Sequence, residues 1–415
     1  MDVKKIKEDF PIFENYRRET GLPVSKAGAD LAFLDSAASS QTPKVVVEAM
    51  DDYYFKYRAN IHRSLYDIGE KATSRYEEAR AVLAKFIGAG EDEVIFTGGA
   101  TASSNMLIYA LERELDLKEG DEILTTVAEH HSNLIPLQEL GRRAKLTLKH
   151  IPVDENLRLD LNALETLITP KTKIVSVTLS SNVTGEIIDA KRVADAAHKV
   201  GAIVVLDATK AAGHMPIDAK ALDCDFLFFS GHKMCGPTGI GVLYGKRELL
   251  EKMKPSFFGG GMVESADLGE ASYTAAPARF EPGTPNIAGA IGLAEAARYL
   301  SKIGIEEIKK HSEELVSYAV QKLSAIPGVK ILCERAAERN IGIVSFVVDG
   351  VHPHDLGEIL SRDHVAIRGG HHCAMPFMKE LGVSAVNRAS FYIYNDEGDI
   401  DRLAAGVEKA KKIFA

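Results

Sequence analysis

Short apolar runs alternate with longer amphipathic stretches through the first two-thirds of the chain. The strand-like runs lie at 93–96, 122–126, 146–153, 173–179, 202–206, 226–229 and 239–244. Stretches with helical periodicity, such as 66–88, 101–114 and 189–200, separate most of them. This alternation predicts an α/β fold with a mainly parallel, doubly wound sheet of seven strands. Ligands of such sheets bind at the carboxyl ends of the strands.

The pattern changes after about residue 287. Two long helical stretches are followed by strands near 330–333, 341–348 and 387–394 and by a final helix from about Glu397. We therefore predict a large domain of residues 30–286 and a smaller α/β domain that combines residues 1–29 with residues 287–415.

Composition and charge narrow the function classes. The 415 residues carry a formal net charge of −9 and no long basic block, which argues against nucleic acid as a main partner. No run approaches the roughly 20 apolar residues of a membrane span, and the N-terminal residues lack the apolar core of a signal peptide. Four cysteines without a disulfide spacing indicate a reducing compartment. We expect a cytoplasmic protein that binds neither nucleic acid nor membrane.

A lysine and an aspartate end two of the apolar runs. Lys233 follows the run Phe226–Phe229 within Ser230-Gly231-His232-Lys233, and Asp207 directly follows the run 202–206. Pyridoxal phosphate needs an amine that forms a Schiff base with its aldehyde and an anion that keeps its pyridine nitrogen protonated. Lys233 and Asp207 supply both groups. The alternative is that Lys233 is only a surface lysine after a strand, which would give Asp207 no role.

A phosphate site is predicted where the run 93–96 leads through Gly98 and Gly99 into a helix. There the backbone N–H groups, the helix dipole and the Thr101 hydroxyl converge where a dianion could bind. Such a turn alone is a weak signal.

A reactive thiol is predicted in the segment 368–376, which has the sequence RGGHHCAMP. Cationic neighbours lower the pKa of a cysteine, and Cys373 stands next to His371 and His372 with Arg368 nearby. The alternatives are a buried cysteine or half of a zinc site. Adjacent histidines and a cysteine are poorly spaced for tetrahedral chelation, so we predict no metal site.

The chain resembles a known family, the Suf-type (group II, SufS-type) cysteine desulfurases within the class V aminotransferase group. The resemblance covers about residues 30–400 and rests on matching segments in the family's order. These are Leu34 to Ala38, Ala59 to Arg63, Glu129 to Asn133, Ser181 to Gly185, Ser230 to Lys233, Arg279 to Asn286, Arg368 to Pro376 and Arg388 to Asn395.

The resemblance implies an aspartate aminotransferase-like fold (fold type I) and a cofactor, pyridoxal 5'-phosphate. It implies that L-cysteine is converted to L-alanine with a persulfide on Cys373, carried by the small domain, and that the sulfur supplies iron–sulfur cluster assembly. Implied partners are a second copy of the chain, in a homodimer, and a SufE-like or SufU-like sulfur acceptor of a Suf scaffold.

The resemblance also implies roles for individual residues. His130 would stack on the cofactor ring, Ser230 and His232 would contact the phosphate with Thr101, and Thr284 would reach the phosphate of the partner subunit. Asn182 and Arg388 would bind the substrate carboxylate, for which a planar guanidinium is well suited. Arg368 and His372 would lie around the nucleophile.

Two positions depart from the family's pattern. Lys210 stands where the family has a glutamine that contacts the phenolic oxygen of the cofactor; a lysine there either donates to that oxygen with a positive charge or turns outward. Ala100 stands where the family has the first of two threonines, so one hydroxyl contact to phosphate is missing.

Three alternatives are open. A selenocysteine lyase would use the same residues and would differ in its turnover of cysteine and selenocysteine. A class V aminotransferase has no need of Cys373. A non-catalytic sulfur or iron carrier would have no need of Lys233 or Asp207 and would be colourless.

Overall fold

The structure is a computed structural model that describes residues 1–20, 31–332 and 339–414. The predicted domain boundary between residues 29 and 30, and the last residue of the strand predicted at 330–333, lie outside the described residues. Within these ranges the α-helices are α1 (Val3–Glu8), α2 (Pro11–Thr20), α3 (Lys44–Lys56), α4 (Asp67–Phe86), α5 (Ala100–Glu114), α6 (His131–Ala144), α7 (Leu164–Leu167), α8 (Ala190–His198), α9 (Ala219–Leu222), α10 (Arg247–Leu250), α11 (Ile287–Ile303), α12 (Ile305–Ser324), α13 (Pro353–Arg362), α14 (Met375–Glu380) and α15 (Glu397–Phe414).

The strands of the same ranges form four sheets. They are β1 (Ala32–Phe33), β2 (Val94–Thr97), β3 (Glu122–Thr126), β4 (Thr147–Ile151), β5 (Thr172–Thr178), β6 (Ile203–Asp207), β7 (Phe226–Ser230), β8 (Gly241–Gly245), β9 (Val263–Ala266), β10 (Ala271–Tyr273), β11 (Val329–Leu332), β12 (Ile343–Val348), β13 (Val365–Ala366), β14 (Arg368–Gly370) and β15 (Val386–Ser390).

The predicted seven-stranded, mainly parallel sheet is confirmed. Its order is β2-β8-β7-β6-β5-β3-β4, and β8 pairs antiparallel with both of its neighbours while the other pairs are parallel. Because two antiparallel pairings restore the original direction, β2 runs the same way as β7. The carboxyl ends of β2, β7, β6, β5 and β3 therefore lie at one edge of the sheet.

Both faces of this sheet are covered, which is why its strands are apolar throughout rather than alternating. On one face Phe226 and Phe228 join a core with residues of α5 and α6. On the other face Leu227 and Phe229 join a core with residues of α3, α4, α8 and α11. Successive side chains of one strand thus serve opposite cores.

A second sheet, in the order β11-β12-β15-β14, is antiparallel and packs with α12, α13 and α15 around a core of its own. The sequence did not predict β14, because Arg-Gly-Gly has no apolar pattern. Helix α11 packs against α3 and α4 of the large sheet's layer, and the predicted boundary between residues 286 and 287 stays a prediction.

None of the helices in the described ranges is long and apolar enough to cross a membrane.

Candidate active site

A cleft lies at the common edge of the large sheet, between that sheet and the second one. It brings together most of the predicted site residues: Ala100, Thr101, His130, Asn182, Asp207, Lys210, Ser230, His232, Lys233, Arg368, His372, Cys373 and Arg388. Thr284 does not line it. The large sheet supplies the lysine and the aspartate, and the second sheet supplies both arginines and leads into the cysteine segment.

Lys233 and Asp207 are placed by neighbouring strands. Asp207 is the last residue of β6, and Lys233 ends a single 3₁₀ turn, Gly231–Lys233, that follows β7. Burial lowers the pKa of Lys233 to about 8, although Asp207 works in the opposite direction. Burial also raises the pKa of Asp207, which accepts a hydrogen bond from the Thr209 N–H (2.8 Å). An amine that loses its proton this readily can act as a nucleophile or base near neutral pH.

The predicted phosphate turn connects β2 with α5. The Ala100 N–H donates to Ser230 Oγ (2.8 Å), and the N-cap residue of the helix, Gly99, has no side chain that could accept from the N–H groups after it. Gly99 has φ 121°, which favours glycine. A side chain at Gly241 would put Cβ 2.6 Å from the Gly99 Cα, so both glycines are needed for the turn to lie against the sheet.

His130 is held as a neutral imidazole with its proton on Nε2. It is the N-cap of α6, where its Nδ1 accepts from the Ser132 N–H (3.1 Å). Because Nδ1 is an acceptor, the ring proton of the neutral form is on Nε2. Burial lowers the pKa of His130 to about 3, and the charge of Lys233 adds to this effect.

The cysteine segment is fastened to the large sheet's layer at two points. The His131 N–H donates to the Cys373 carbonyl (2.8 Å), and Asn182 Nδ2 donates to the His372 carbonyl (2.7 Å). His372 and Cys373 both have left-handed backbone conformations, with φ of 52° and 56°, which is uncommon for residues other than glycine. Cys373 is partly exposed, whereas Cys224 and Cys235 are buried. These bonds hold Cys373 over the cleft.

Two arginines face each other across β14 and β15. Arg368 and Arg388 are partners in the register, and like charges in that position repel each other. Arg388 is buried and donates to Asp35 Oδ1 (3.0 Å) and to the Asn182 carbonyl (2.8 Å), while its Nε has no partner. No ion pair of Arg368 is found in the described part of the chain. An anionic ligand between the guanidinium groups would relieve the repulsion.

The two departures from the family's pattern both lie in the cleft. Lys210 is buried there, and its Nζ is 3.0 Å from His214 Nε2. Ala100 lines the cleft at the start of α5 without a hydroxyl.

Thr284 lies in a second cavity together with Asn60, His62 and Arg63, for which the sequence indicated no role. Nearby, the carboxylate of Glu281 accepts bonds from Arg80 and from the Phe96 N–H (2.6 Å). The segment that carries Thr284 is thereby joined to β2.

The residues of the cleft fit pyridoxal phosphate. A buried carboxylate, an amine with a lowered pKa and a helix start with glycine as its N-cap would provide partners for the pyridine nitrogen, the aldehyde and the phosphate. Ser180 Oγ lines the cleft as a buried polar atom without a partner, as expected where a polar ligand binds. No group of three or more side chains that could hold a metal ion is found in the described ranges.

Sequence reasoning missed three groups around the cleft. Asp35 and Glu129 lie within the quoted motifs, but nothing in the sequence gave them a partner. The Glu129 carboxylate accepts from Thr126 Oγ1 (2.7 Å), the Thr178 N–H (2.9 Å) and Asn133 Nδ2 (2.8 Å) and so joins β3, β5 and α6. For His214 the available signal was its spacing of four residues from Lys210.

Comparison with known proteins identifies the family. The family described as "Aminotransferase class-V" matches residues 32–403. The chain belongs to this family. Its members depend on pyridoxal phosphate, and the predicted fold and cofactor are therefore confirmed.

Individual relatives match along the whole chain. "Probable cysteine desulfurase" of Halalkalibacterium halodurans is 45% identical over 415 residues, 100% of this chain and 99% of the relative. The protein of the same name from Staphylococcus aureus (strain Mu50) is 45% identical over 416 residues, 100% of this chain and 98% of the relative.

Two solved structures have the same fold. The apo cysteine desulfurase of Thermococcus onnurineus NA1 is similar with a TM-score of 0.91 at 40% identity, covering 99% of this chain and 98% of that one. Cysteine desulfurase CsdA of Escherichia coli, in an S-sulfonic acid form, is similar with a TM-score of 0.90 at 36% identity, and both chains are covered completely.

Proposed function

We propose that the protein is a SufS-type cysteine desulfurase, which converts L-cysteine to L-alanine and keeps the sulfur as a persulfide on Cys373. The observation that carries this proposal is the position of Cys373 in the same cleft as Lys233 and Asp207. An aminotransferase would have a use for the lysine and the aspartate but none for a partly exposed cysteine held beside them.

The cleft residues have different roles in the reaction of bound cysteine. The free donors of Arg388, the guanidinium of Arg368 and the second N–H of Asn182 bind the substrate carboxylate, because each can donate to an oxygen. Lys233 Nζ removes the proton from the substrate Cα. His130 Nε2 carries the proton of the neutral imidazole, and the ring would pack over the cofactor when it is bound.

Pyridoxal phosphate, held by Lys233, Asp207, Lys210, His130 and the Ser230, His232 and Thr101 side chains, supplies an electron sink for the bonds broken at the substrate. The Cys373 thiolate attacks the substrate sulfur, so that an S–S bond forms as the Cβ–S bond breaks. The overall change is one thiol and one L-cysteine to one persulfide and one L-alanine. Atoms and electrons balance without an external oxidant or reductant.

The direct test is to assay alanine and sulfide from L-cysteine with the purified protein and its Cys373→Ala variant, in the presence of dithiothreitol, which reduces the persulfide to thiol and sulfide. We expect the variant to keep its visible absorption band and to lose alanine formation by roughly 100-fold or more, because the sulfur has no acceptor. Cys224→Ala is the matched control, since Cys224 is a buried cysteine in the connection between α9 and β7. Alanine formation by Cys373→Ala at the rate of the unaltered protein would refute the proposal.

We further propose that two copies of the chain form a homodimer in which Thr284 contacts the phosphate bound by the partner. Thr284 is absent from its own chain's cleft, which supports a role in another subunit. Mixing Lys233→Ala with Thr284→Ala protein tests this. If Thr284 acts in the partner's site, one of the two sites in each mixed dimer contains both native residues. That site should bind the cofactor with native affinity. Affinity that stays at the level of Thr284→Ala protein contradicts it.

The persulfide requires an acceptor. We propose a SufE-like or SufU-like protein in the cytoplasm that passes the sulfur on to iron–sulfur cluster assembly. Partly exposed Cys373 is accessible to such a partner. A rise in the rate of sulfur release when either acceptor is added supports the relay, and an unchanged rate with both acceptors contradicts it.

A further inference from the structure

A buried amine and a buried imidazole form a pair at the inner wall of the cleft. Lys210 Nζ and His214 Nε2 are 3.0 Å apart. Lys210 is 3% exposed and His214 is completely buried. The two residues are four positions apart in a helix-like turn, in which the Met215 N–H donates to the Ala211 carbonyl (3.1 Å). Lys210 reaches the cleft, and His214 lies behind it.

The imidazole is fixed in orientation. The Tyr392 ring stacks on it with centroids 4.1 Å apart, and the Tyr392 hydroxyl donates to the Gly213 carbonyl (2.8 Å). A side chain at Gly213 would put Cβ 2.6 Å from the Met234 Cβ, so this packing requires glycine. Nε2 is therefore held toward Lys210.

The surroundings of the pair are predominantly basic. The groups that act on it are Lys233 and His232 after β7, Arg388 on β15, Asp35 after β1 and the phenol of Tyr392. Across the described residues no carboxylate forms an ion pair with Lys210. Burial lowers the pKa of Lys210 well below its usual range, and Lys233 and Arg388 lower it further.

At most one added proton suits this arrangement, because burial disfavours a charge on either group. Two protons would place two positive charges 3.0 Å apart without a carboxylate to compensate them. With one added proton, either nitrogen donates to the other, and the anionic cofactor proposed for the cleft would compensate the charge. We propose that Lys210 and His214 share a single proton, and that this pair places a positive charge beside the cofactor's ring oxygen. His214 is a positioning residue that acts through Lys210.

This inference rests on the proposed assignment of the cleft to pyridoxal phosphate. The test is a spectroscopic pH titration of the holoenzyme, which does not depend on turnover. A neighbouring positive charge favours loss of a proton by the bound cofactor, so it lowers the pH midpoint of the colour change. We expect Lys210→Gln to raise that midpoint by about one pH unit. Lys210→Arg keeps the charge, and we expect its midpoint to stay close to that of the unaltered protein.

A second pair of variants tests His214. His214→Phe removes the acceptor, and a buried lysine without a partner loses its proton, so we expect a raised midpoint as in Lys210→Gln. The amide oxygen of His214→Gln replaces Nε2 as acceptor and should restore the native midpoint. If the two residues had a merely structural role, the midpoint would not differ between Lys210→Gln and Lys210→Arg, or between His214→Phe and His214→Gln, in this way.

The outcomes separate the two proposals. No visible band in the unaltered protein would refute the assignment of the cleft and the pair's role with it. A band whose midpoint is the same in Lys210→Gln, or in His214→Phe, as in the unaltered protein would refute the shared proton and leave the desulfurase proposal standing.

Discussion

Asp207 is the carboxylate on which the cleft's electrostatics depend. It is buried at the end of β6, and burial alone raises its pKa, so its negative charge is retained most easily when a positive group faces it. Lys233 provides such a group, and the protonated pyridine nitrogen would provide another when the cofactor is bound.

We expect Asp207→Asn to lower alanine formation by roughly 100-fold or more, because the amide cannot hold the ring nitrogen protonated. Visible absorption should also show weaker cofactor retention. Asp267→Asn, in the exposed β9–β10 hairpin, is the control and should match the unaltered protein. Native turnover by Asp207→Asn would show that the carboxylate does not face the cofactor.

At the scale of elements, a buried ion pair joins α4, β2 and the segment before Thr284. Arg80 and Glu281 have side chains only 3% and 6% exposed, and their nitrogen and oxygen are 2.7 Å apart. The Tyr76 hydroxyl and the Phe96 N–H also donate to Glu281. Both charged groups have hydrogen-bond partners, and the pair therefore holds the second cavity in a fixed position relative to the phosphate turn.

We expect Glu281→Gln to lower the free energy of unfolding by about 3–5 kcal/mol, because Arg80 keeps a buried charge with less compensation. Denaturant unfolding measures this difference. Glu295→Gln removes one partner of Arg298 in a pair more exposed to solvent and should cost less than about 1 kcal/mol. Equal losses in the two variants would contradict the distinction.

How well an element could be predicted from the sequence depends on how apolar it is. Apolar runs located the seven strands of the large sheet, because burial on both faces leaves an uninterrupted signal. Strand β14 and the β9–β10 hairpin are short and polar, and so they have no such apolar signal. Lys233, Asp207 and Cys373 were found because their chemistry is uncommon at strand ends or beside histidines. The Arg388–Asp35 contact depends on tertiary packing, as do the left-handed conformations of His372 and Cys373, whereas the Lys210–His214 contact lies within one helix-like turn and its only signal was the spacing of four residues.

At the scale of the whole molecule, the buried histidines of the cleft make stability depend on pH. Burial lowers the pKa of His372 and His130 to about 3 and that of His232 to about 4. An unfolded chain has histidines with a pKa near 6.5. Their contribution to stability is therefore complete above about pH 6.5 and is lost as the pH falls toward 4, because the unfolded state takes up protons that the folded state does not.

We expect His372→Gln to reduce this dependence, by up to about 1.4 kcal/mol per pH unit between pH 6 and 4. Denaturant unfolding of both proteins at pH 7, 6, 5 and 4 gives the two slopes. Identical slopes would mean that His372 gains its proton in the folded protein as readily as in the unfolded one.

The bond between Arg388 and Asp35 joins residues 353 positions apart. During synthesis on the ribosome, Lys233 and Asp207 emerge long before the strand that carries Arg388. Any structure that forms before then lacks the arginine that is proposed to bind the substrate carboxylate. The proposed release of sulfur therefore requires that β15 has been made and has paired with the earliest part of the fold.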